Sequence, residues 1–307
     1  MHAFVSGAAN TIFLPPAERL RPYLSTYYFT AIAPDDGAEV RDLLNPEWAS
    51  VRFRWTGDMR GSVQPDALHD IAPAHFVGPT TRAGPFASRG ARVASIGFLP
   101  RGWNAFMRES AHGWANRVDA AGALATILDF TAMAGALDAI AKVAVDDVAS
   151  MAVMFDTALL AALDAHPPAA AEDARIAAAH RALIDPATTS VRDLARALAI
   201  SERQLHRLSL RAFGFAPKPL LRRQRFLRTL DVIMRDGARN WSSALDGQYY
   251  DQSHFNRDFR AFFGMTPEQY RQMPHPVLAA AAAARIKALG APLQALHLSG
   301  EPISHQK

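Results

Sequence analysis

The 307-residue chain contains no cysteine. A disulfide framework, a thiolate zinc finger or ribbon, a thiol nucleophile and an iron–sulfur cluster are thereby excluded. The sequence also lacks the run of about 20 apolar residues that a membrane-spanning helix needs. Residues 1–10 have neither the basic start nor the apolar run of a signal peptide, so the expected setting is the cytoplasm, at the nucleoid, with no membrane partner. No G-x-S-x-G, P-loop or dinucleotide-binding glycine motif is present. His69 and His75 stand in an H-x5-H spacing without the close H-x-H pair or nearby glutamate of a persuasive iron or zinc site. The expectation is a protein that is not an enzyme and carries no metal or cofactor.

Charge of one sign is missing locally. Residues 1–168 carry 13 Lys or Arg against 17 Asp or Glu, whereas residues 169–307 carry 20 against 12. Between Arg203 and Arg228 there are eight basic residues and no acid. A solvated helix face explains such a run by itself, but the asymmetry between halves suggests that the second half meets a polyanion.

Short β-branched or aromatic segments bounded by Gly, Pro or Asp fill residues 1–110, at 24–32, 50–56, 75–79 and 92–99, and predict a small barrel or sandwich. Helical spacing takes over from Trp103. Residues 148–163 carry an apolar stripe of Val148, Met151, Phe155, Leu159 and Ala162, suited to a second chain or to the chain's own barrel. Pro167-Pro168 cannot continue a helix and mark a boundary. The expected division is 1–168, 169–276 and an alanine-rich helical tail, 277–307.

Residues 190–214 read as two short helices around a tight turn at Ala199-Ile200. Ser190 caps the first. Ser201 and Gln204 form an S-x-x-Q capping box at the start of the second. Leu205, Leu208 and Ala212 share one face of that helix, and Arg203, His206, Arg207 and Leu210 or Arg211 the other. Residues 241–264 repeat the plan: a short helix from Ser242 to Leu245, then Asp251 capping a helix with a Phe255, Phe259 and Phe262 stripe. Gly264 ends it and Thr266-Pro267 opens another. The stretch 217–236 between them reads as one helix about 30 Å long, close to the roughly 34 Å repeat of a major groove. Two helix-turn-helix units on a rigid connector fit double-stranded DNA.

Residues 249–270, YYDQSHFNRDFRAFFGMTPEQY, resemble the C-terminal signature of the AraC/XylS transcriptional regulators. The first unit is similar through its S-x-R-x-L-x-R opening (Ser201 to Arg207) and its G-x-x-P exit (Gly214 to Pro217). It departs from the family at Ser209-Leu210, and the second unit departs at Gln248. The resemblance implies Arg203, His206 and Arg207, and Gln252, Ser253, His254, Asn256 and Arg257, as readers of base edges. Arginine suits guanine, and Gln or Asn suits adenine. Ser201, Arg211, Lys218, Arg222 and Arg223 are the candidates for phosphate contacts.

The 99–124 segment is similar to the barrel-to-helix passage of cupin-like sensor domains in such regulators. The implied fold class is α+β: a small cupin-like N-terminal barrel with helices, then an all-α domain of two helix-turn-helix units joined by a long helix. A small-molecule effector, a homodimer and RNA polymerase are the further partners implied. Candidate effector-lining residues are Tyr27, Phe53, Trp55 and Phe98, with Arg52, Arg54 or His75 as polar partners; core packing is the competing role for each aromatic. The alternative function is a cupin-type enzyme with a helical accessory domain.

Overall fold

The computed structural model describes residues 9–34, 37–236, 247, 249–290 and 292–297. Its N-terminal part is built from strands β1 (Ala9–Leu14), β2 (Leu24–Ile32), β3 (Val40–Leu44), β4 (Ser50–Gly57), β5 (Arg60–Gly61), β6 (His69–Asp70), β7 (Ala74–Val77), β8 (Gly84–Ser88), β9 (Ala91–Phe98) and, after helix α1 (Pro100–Phe106), β10 (Val118–Ala120). Six strands form one antiparallel sheet in the order β1-β2-β9-β4-β7-β10, and four form a second in the order β3-β8-β5-β6.

Alternation along the strands sorts the large sheet into two faces. Registers Tyr28↔Ser95, Arg52↔Ser95 and Arg52↔His75 align a polar row. One residue along, Tyr27↔Ile96, Val51↔Ile96 and Val51↔Phe76 align an apolar row. The polar row looks into a cavity. The apolar row is covered by helices α2 (Phe130–Val143) and α3 (Val148–Ala165), capped by the Asp129 and Asp147 carboxylates.

The α3 stripe is spent inside the chain. Met151, Phe155 and Leu159 are fully buried, and Phe155 packs on Tyr27, Phe29 and Phe53 with ring centroids 5.4, 6.3 and 5.7 Å away. Of the two uses expected for this stripe, packing on its own sheet is the one realised, and a dimer seam through Phe155 is excluded. By length and apolar composition α3 and the 276–296 stretch are long enough to cross a membrane. Both set a buried face against the sheets.

After Pro167-Pro168 come α4 (Ala170–Ile184), α5 (Val191–Ala197), α6 (Glu202–Phe213), α7 (Pro217–Asp236), α8 (Gln252–Phe263), α9 (Pro267–Gln272) and α10 (Pro276–Leu289). The α+β class and the all-helical second half therefore match the sequence reading. The expected helix from Ser242 to Leu245 lies outside the described residues, as do Gln248 and the end of the chain from 298. The two halves share a core in which Leu43, Trp48, Ala83 and Leu99 pack with Phe213, Phe226, Phe262 and other helical residues. The alanine-rich α10, expected as a tail, lies against β1 and β3. The buried Asp42 carboxylate on β3 accepts hydrogen bonds from the Val277 and Leu278 amides at 2.9 and 2.8 Å, pinning its first turn.

Candidate nucleic-acid interface

The first unit is shaped by local chemistry. Ser190 accepts from the Asp193 amide to start α5, and Ala199 takes a left-handed φ of 50° in the turn. Ser201 Oγ then accepts from the Gln204 amide while Gln204 Oε1 accepts from the Ser201 amide at 2.9 Å, closing the predicted capping box. Leu205, Leu208 and Ala212 of α6 are buried; Ser201, Arg203, His206 and Arg207 are exposed. Gly214 ends the helix at φ 83°.

The described helix of the second unit, α8, starts where Asp251 accepts from the His254 amide and ends at Gly264, φ 70°. Phe255, Phe259, Phe262 and Phe263 clamp α8 onto Phe226 of α7, with centroids 4.8 to 5.8 Å away. Gln252, Ser253 and Arg257 are exposed and Asn256 is half-buried. His254 is turned inward: its Nε2 lies 3.1 Å from Arg225 and its ring 5.1 Å from Tyr249. A base-reading role for His254 would have to compete with these contacts.

The connector α7 is one helix of 20 residues, as expected. Its basic residues fall into distinct environments. Lys218 is exposed. Arg222 is paired with Asp258 at 2.6 Å, and Arg225 with the same carboxylate at 2.9 Å. Tyr249 Oη donates to Asp258 as well. Burial works against the Asp258 charge, but these partners hold its carboxyl below the usual aspartate range. Arg211 of α6 is exposed and bonded to Glu172 at 2.7 Å.

Arg223 departs from the sequence reading. It has no exposed surface, donates to the Thr80 carbonyl at 2.8 Å, and lies over the Trp48 ring. Burial pushes its pKa down to about 9, which still leaves it charged at neutral pH. An arginine locked into the N-terminal half is unavailable to phosphates, so its expected role is corrected. Periodicity carried the missing signal: Leu220, Arg223, Phe226, Leu227 and Leu230 share one buried stripe.

Behind this interface lies the cavity between the sheets, about 170 Å³. Arg52 and His75 line it, as expected. Tyr27, Phe53, Trp55 and Phe98 do not, because strand alternation turns them to the helix-covered face. Tyr27 Oη donates to Asp156 at 2.8 Å, Phe53 stacks on Phe155, and Trp55 Nε1 donates to the Val145 carbonyl at 3.2 Å. Arg54 is used by the Gly57 and Ile71 carbonyls. Arg52 pairs with Glu47 inside the cavity. Burial, reinforced by Arg52, lowers the His75 pKa to about 3. The sequence reading missed Arg285, the one charged residue in the stretch PVLAAAAAAR of α10, which also lines the cavity. Among the described residues no group of three or more His, Cys, Asp or Glu is placed to hold a metal ion.

Helices α5 and α6 form a helix-turn-helix, and a second capped helix with exposed polar residues, α8, packs on the long helix α7 that follows that unit. Residues 194–273 match the family model described as "Helix-turn-helix domain". This part of the chain is a helix-turn-helix domain of the AraC type, and the protein is a DNA-binding transcription regulator. No curated protein matches the chain. Among solved structures, ToxT from Vibrio cholerae is 9% identical over 86% of this chain and 97% of its own, with a TM-score of 0.43. Unsaturated fatty acid-bound ToxT from the same organism is 10% identical over 89% and 98%, at 0.43. The AraC-like transcriptional activator CuxR is 13% identical over 72% and 86%, at 0.24. The assignment rests on the matched segment.

Proposed function

We propose that α6 and α8 read two successive major-groove segments of one operator, in the cytoplasm, and that a small molecule in the cavity controls the reading. Arg203, Arg207 and His206 of α6 and Gln252, Ser253, Asn256 and Arg257 of α8 are the base readers. Lys218 is exposed for phosphates, and Ser201 meets one beside the capping box that already uses its Oγ. Arg211 and Arg222 reach them by exchanging their carboxylate partners. The observation that carries the reading is the connector. Its 20 residues span about 30 Å at 1.5 Å per residue, close to one helical turn of DNA.

Effector control is supported by the path from cavity to connector. The Glu47 side chain lines the cavity beside Arg52, while the carbonyls of Glu47 and Thr80 hold Arg223 of α7. A ligand that shifts Glu47 therefore bears on the helix that spaces the two recognition helices.

The full-length protein should be used to select bound sequences from random duplexes and then footprinted on the winner. Two protected segments about one helical turn apart are expected. A single segment would leave one working recognition helix and overturn the two-groove reading.

A further inference from the structure

We propose that residues 292–297 are a strap that clasps the connector α7 to the N-terminal half, and that its buckle is a carboxamide-binding notch in the large sheet, filled by Gln294. The regulatory meaning of the strap rests on the effector reading above, although the strap itself can be measured without DNA.

The notch is built into the sheet. Pairing of β2 with β9 slips between Leu24 and Thr26, which leaves Ser25 as the extra residue of a bulge. Beside the bulge stands Gly97, and a Cβ there would lie 2.5 Å from Gln294 Nε2 and would also collide with Ser25 Oγ. A glycine inside a strand marks such a close approach. Both ends of the carboxamide are used. Gln294 Nε2 donates to Ser25 Oγ at 3.0 Å, and Ser25 Oγ donates onward to the Gly97 carbonyl at 3.3 Å. Gln294 Oε1 accepts from the Trp48 amide at 3.1 Å. A carboxylate at this position would lose the donor to Ser25 and bury a charge, and an apolar side chain would leave the Trp48 amide unpaired.

The same short turn reaches the connector. Residues Gln294–Leu296 form a 3-10 turn, and the Ala295 carbonyl accepts from Gln224 Nε2 of α7 at 3.0 Å. Gln224 has no exposed surface and follows Arg223, whose guanidinium rests on the Trp48 ring. The strap thus holds the Trp48 main chain through one residue and the neighbour of Arg223 through the next. Leu293 and Ala295 are buried in the core that the two halves share.

Pro292, Leu293 and Gln294 also line the cavity. The buckle and one wall of the cavity are the same residues, so a guest that pushes on that wall pulls on the hold over α7. Hydrogen bonds of this kind are individually modest once exchange with water is counted, so the strap can open as a local unit while the sheets stay folded.

The test is hydrogen exchange of the full-length protein without DNA. It is read at the Trp48 amide and at the His297 amide, which donates to the Gln294 carbonyl at 3.0 Å. Gln294→Met keeps the length of the side chain and removes both polar ends, so both amides should exchange at least tenfold faster. Gln224→Met cuts only the tie to α7 and leaves the notch intact. A strap that opens as one unit should still release the Trp48 amide in that variant, at least threefold. If Gln294→Met fails to fold, Gly97→Ala evicts the carboxamide from the sheet side and should reproduce both accelerations. Unchanged exchange at Trp48 in Gln294→Met or in Gln224→Met would overturn the proposal, as would an acceleration at Trp48 that leaves His297 protected. Binding of the wild-type protein to the selected operator reports separately on the regulator reading.

Discussion

The Arg223 guanidinium carbon lies 3.8 Å from the centroid of the Trp48 ring. A cation from the DNA-binding connector is thus seated on an aromatic wall of the N-terminal half. Trp48 is also held edge-on by His180 at 5.5 Å and Phe213 at 5.7 Å. The long helix α7 is therefore docked on the N-terminal half through its buried stripe.

Arg223→Met should act through stability and leave phosphate contacts intact. It removes the cation–π contact and strands the Thr80 carbonyl, an expected loss of about 1–3 kcal/mol. Thermal unfolding measures that loss. The salt dependence of DNA affinity should be unchanged, whereas Lys218→Ala should lower its slope by about 1.

Arg207→Ala should weaken binding to the selected operator by about 1–3 kcal/mol and leave random duplex unaffected. Arg207 is exposed on α6 one turn after the capping box. Parallel titrations on operator and scrambled duplex decide it, and equal losses on both would move Arg207 to the backbone class.

Asp258→Asn should destabilise the second unit by about 3 kcal/mol, because a buried carboxylate with three partners is lost. The wild-type Asp258 carboxyl sits below its unfolded value. Its stabilisation is therefore complete above the unfolded aspartate pKa and is lost as pH falls through the lower folded value. Melting curves below about pH 4 should be less acid-sensitive in the variant than in the wild type.

The α10 clamp should loosen in the opposite direction. His275 Nδ1 is 2.9 Å from Asp42, its other ring nitrogen is 2.9 Å from the Tyr270 carbonyl, and the Tyr270 ring packs against it. Burial opposes its charge, but Asp42 and that carbonyl raise its pKa above the ordinary histidine value. The contribution is full below the unfolded pKa and is lost as pH rises through the folded one. Hydrogen exchange at the Val277 and Leu278 amides, corrected for intrinsic rates, should gain relative to the global rate between about pH 6 and pH 9. Asp42→Asn should flatten that trend.

Phe155→Asp should unfold the N-terminal half, since its ring is fully buried among Tyr27, Phe29 and Phe53. A milder Phe155→Ala should cost about 3–5 kcal/mol. Circular dichroism and thermal melts separate this from a change in association state.

Local chemistry was readable and long-range chemistry was not. Ser201 with Gln204, Asp251 with His254, and Thr266 with Gln269 announce helix starts within four residues. Helices α6 and α8 accordingly begin at the residues that their caps announce. Neighbours such as Arg52 and Phe53 must face opposite sides of a strand, a parity that separates cavity from core once one of them is placed. Arg223 and Arg222 look alike in a basic run; only the helical phase of the apolar residues around Arg223 tells them apart. Arg285 met the cavity through contacts spanning the whole chain, and no short-range pattern encodes that.

The residue pair Glu47-Trp48 has two audiences. The Glu47 side chain faces the cavity, but the Glu47 carbonyl faces Arg223 of α7, and the Trp48 amide is held by Gln294 at 3.1 Å. The cavity is met there by the variable part of the chain, while the link to the connector includes main-chain atoms that every residue type supplies. Cavity positions such as 28, 52, 75 and 95 can therefore be changed without supplying a new carbonyl to hold Arg223. In engineering terms, the cavity wall and the tie to the connector are separable at a single peptide unit.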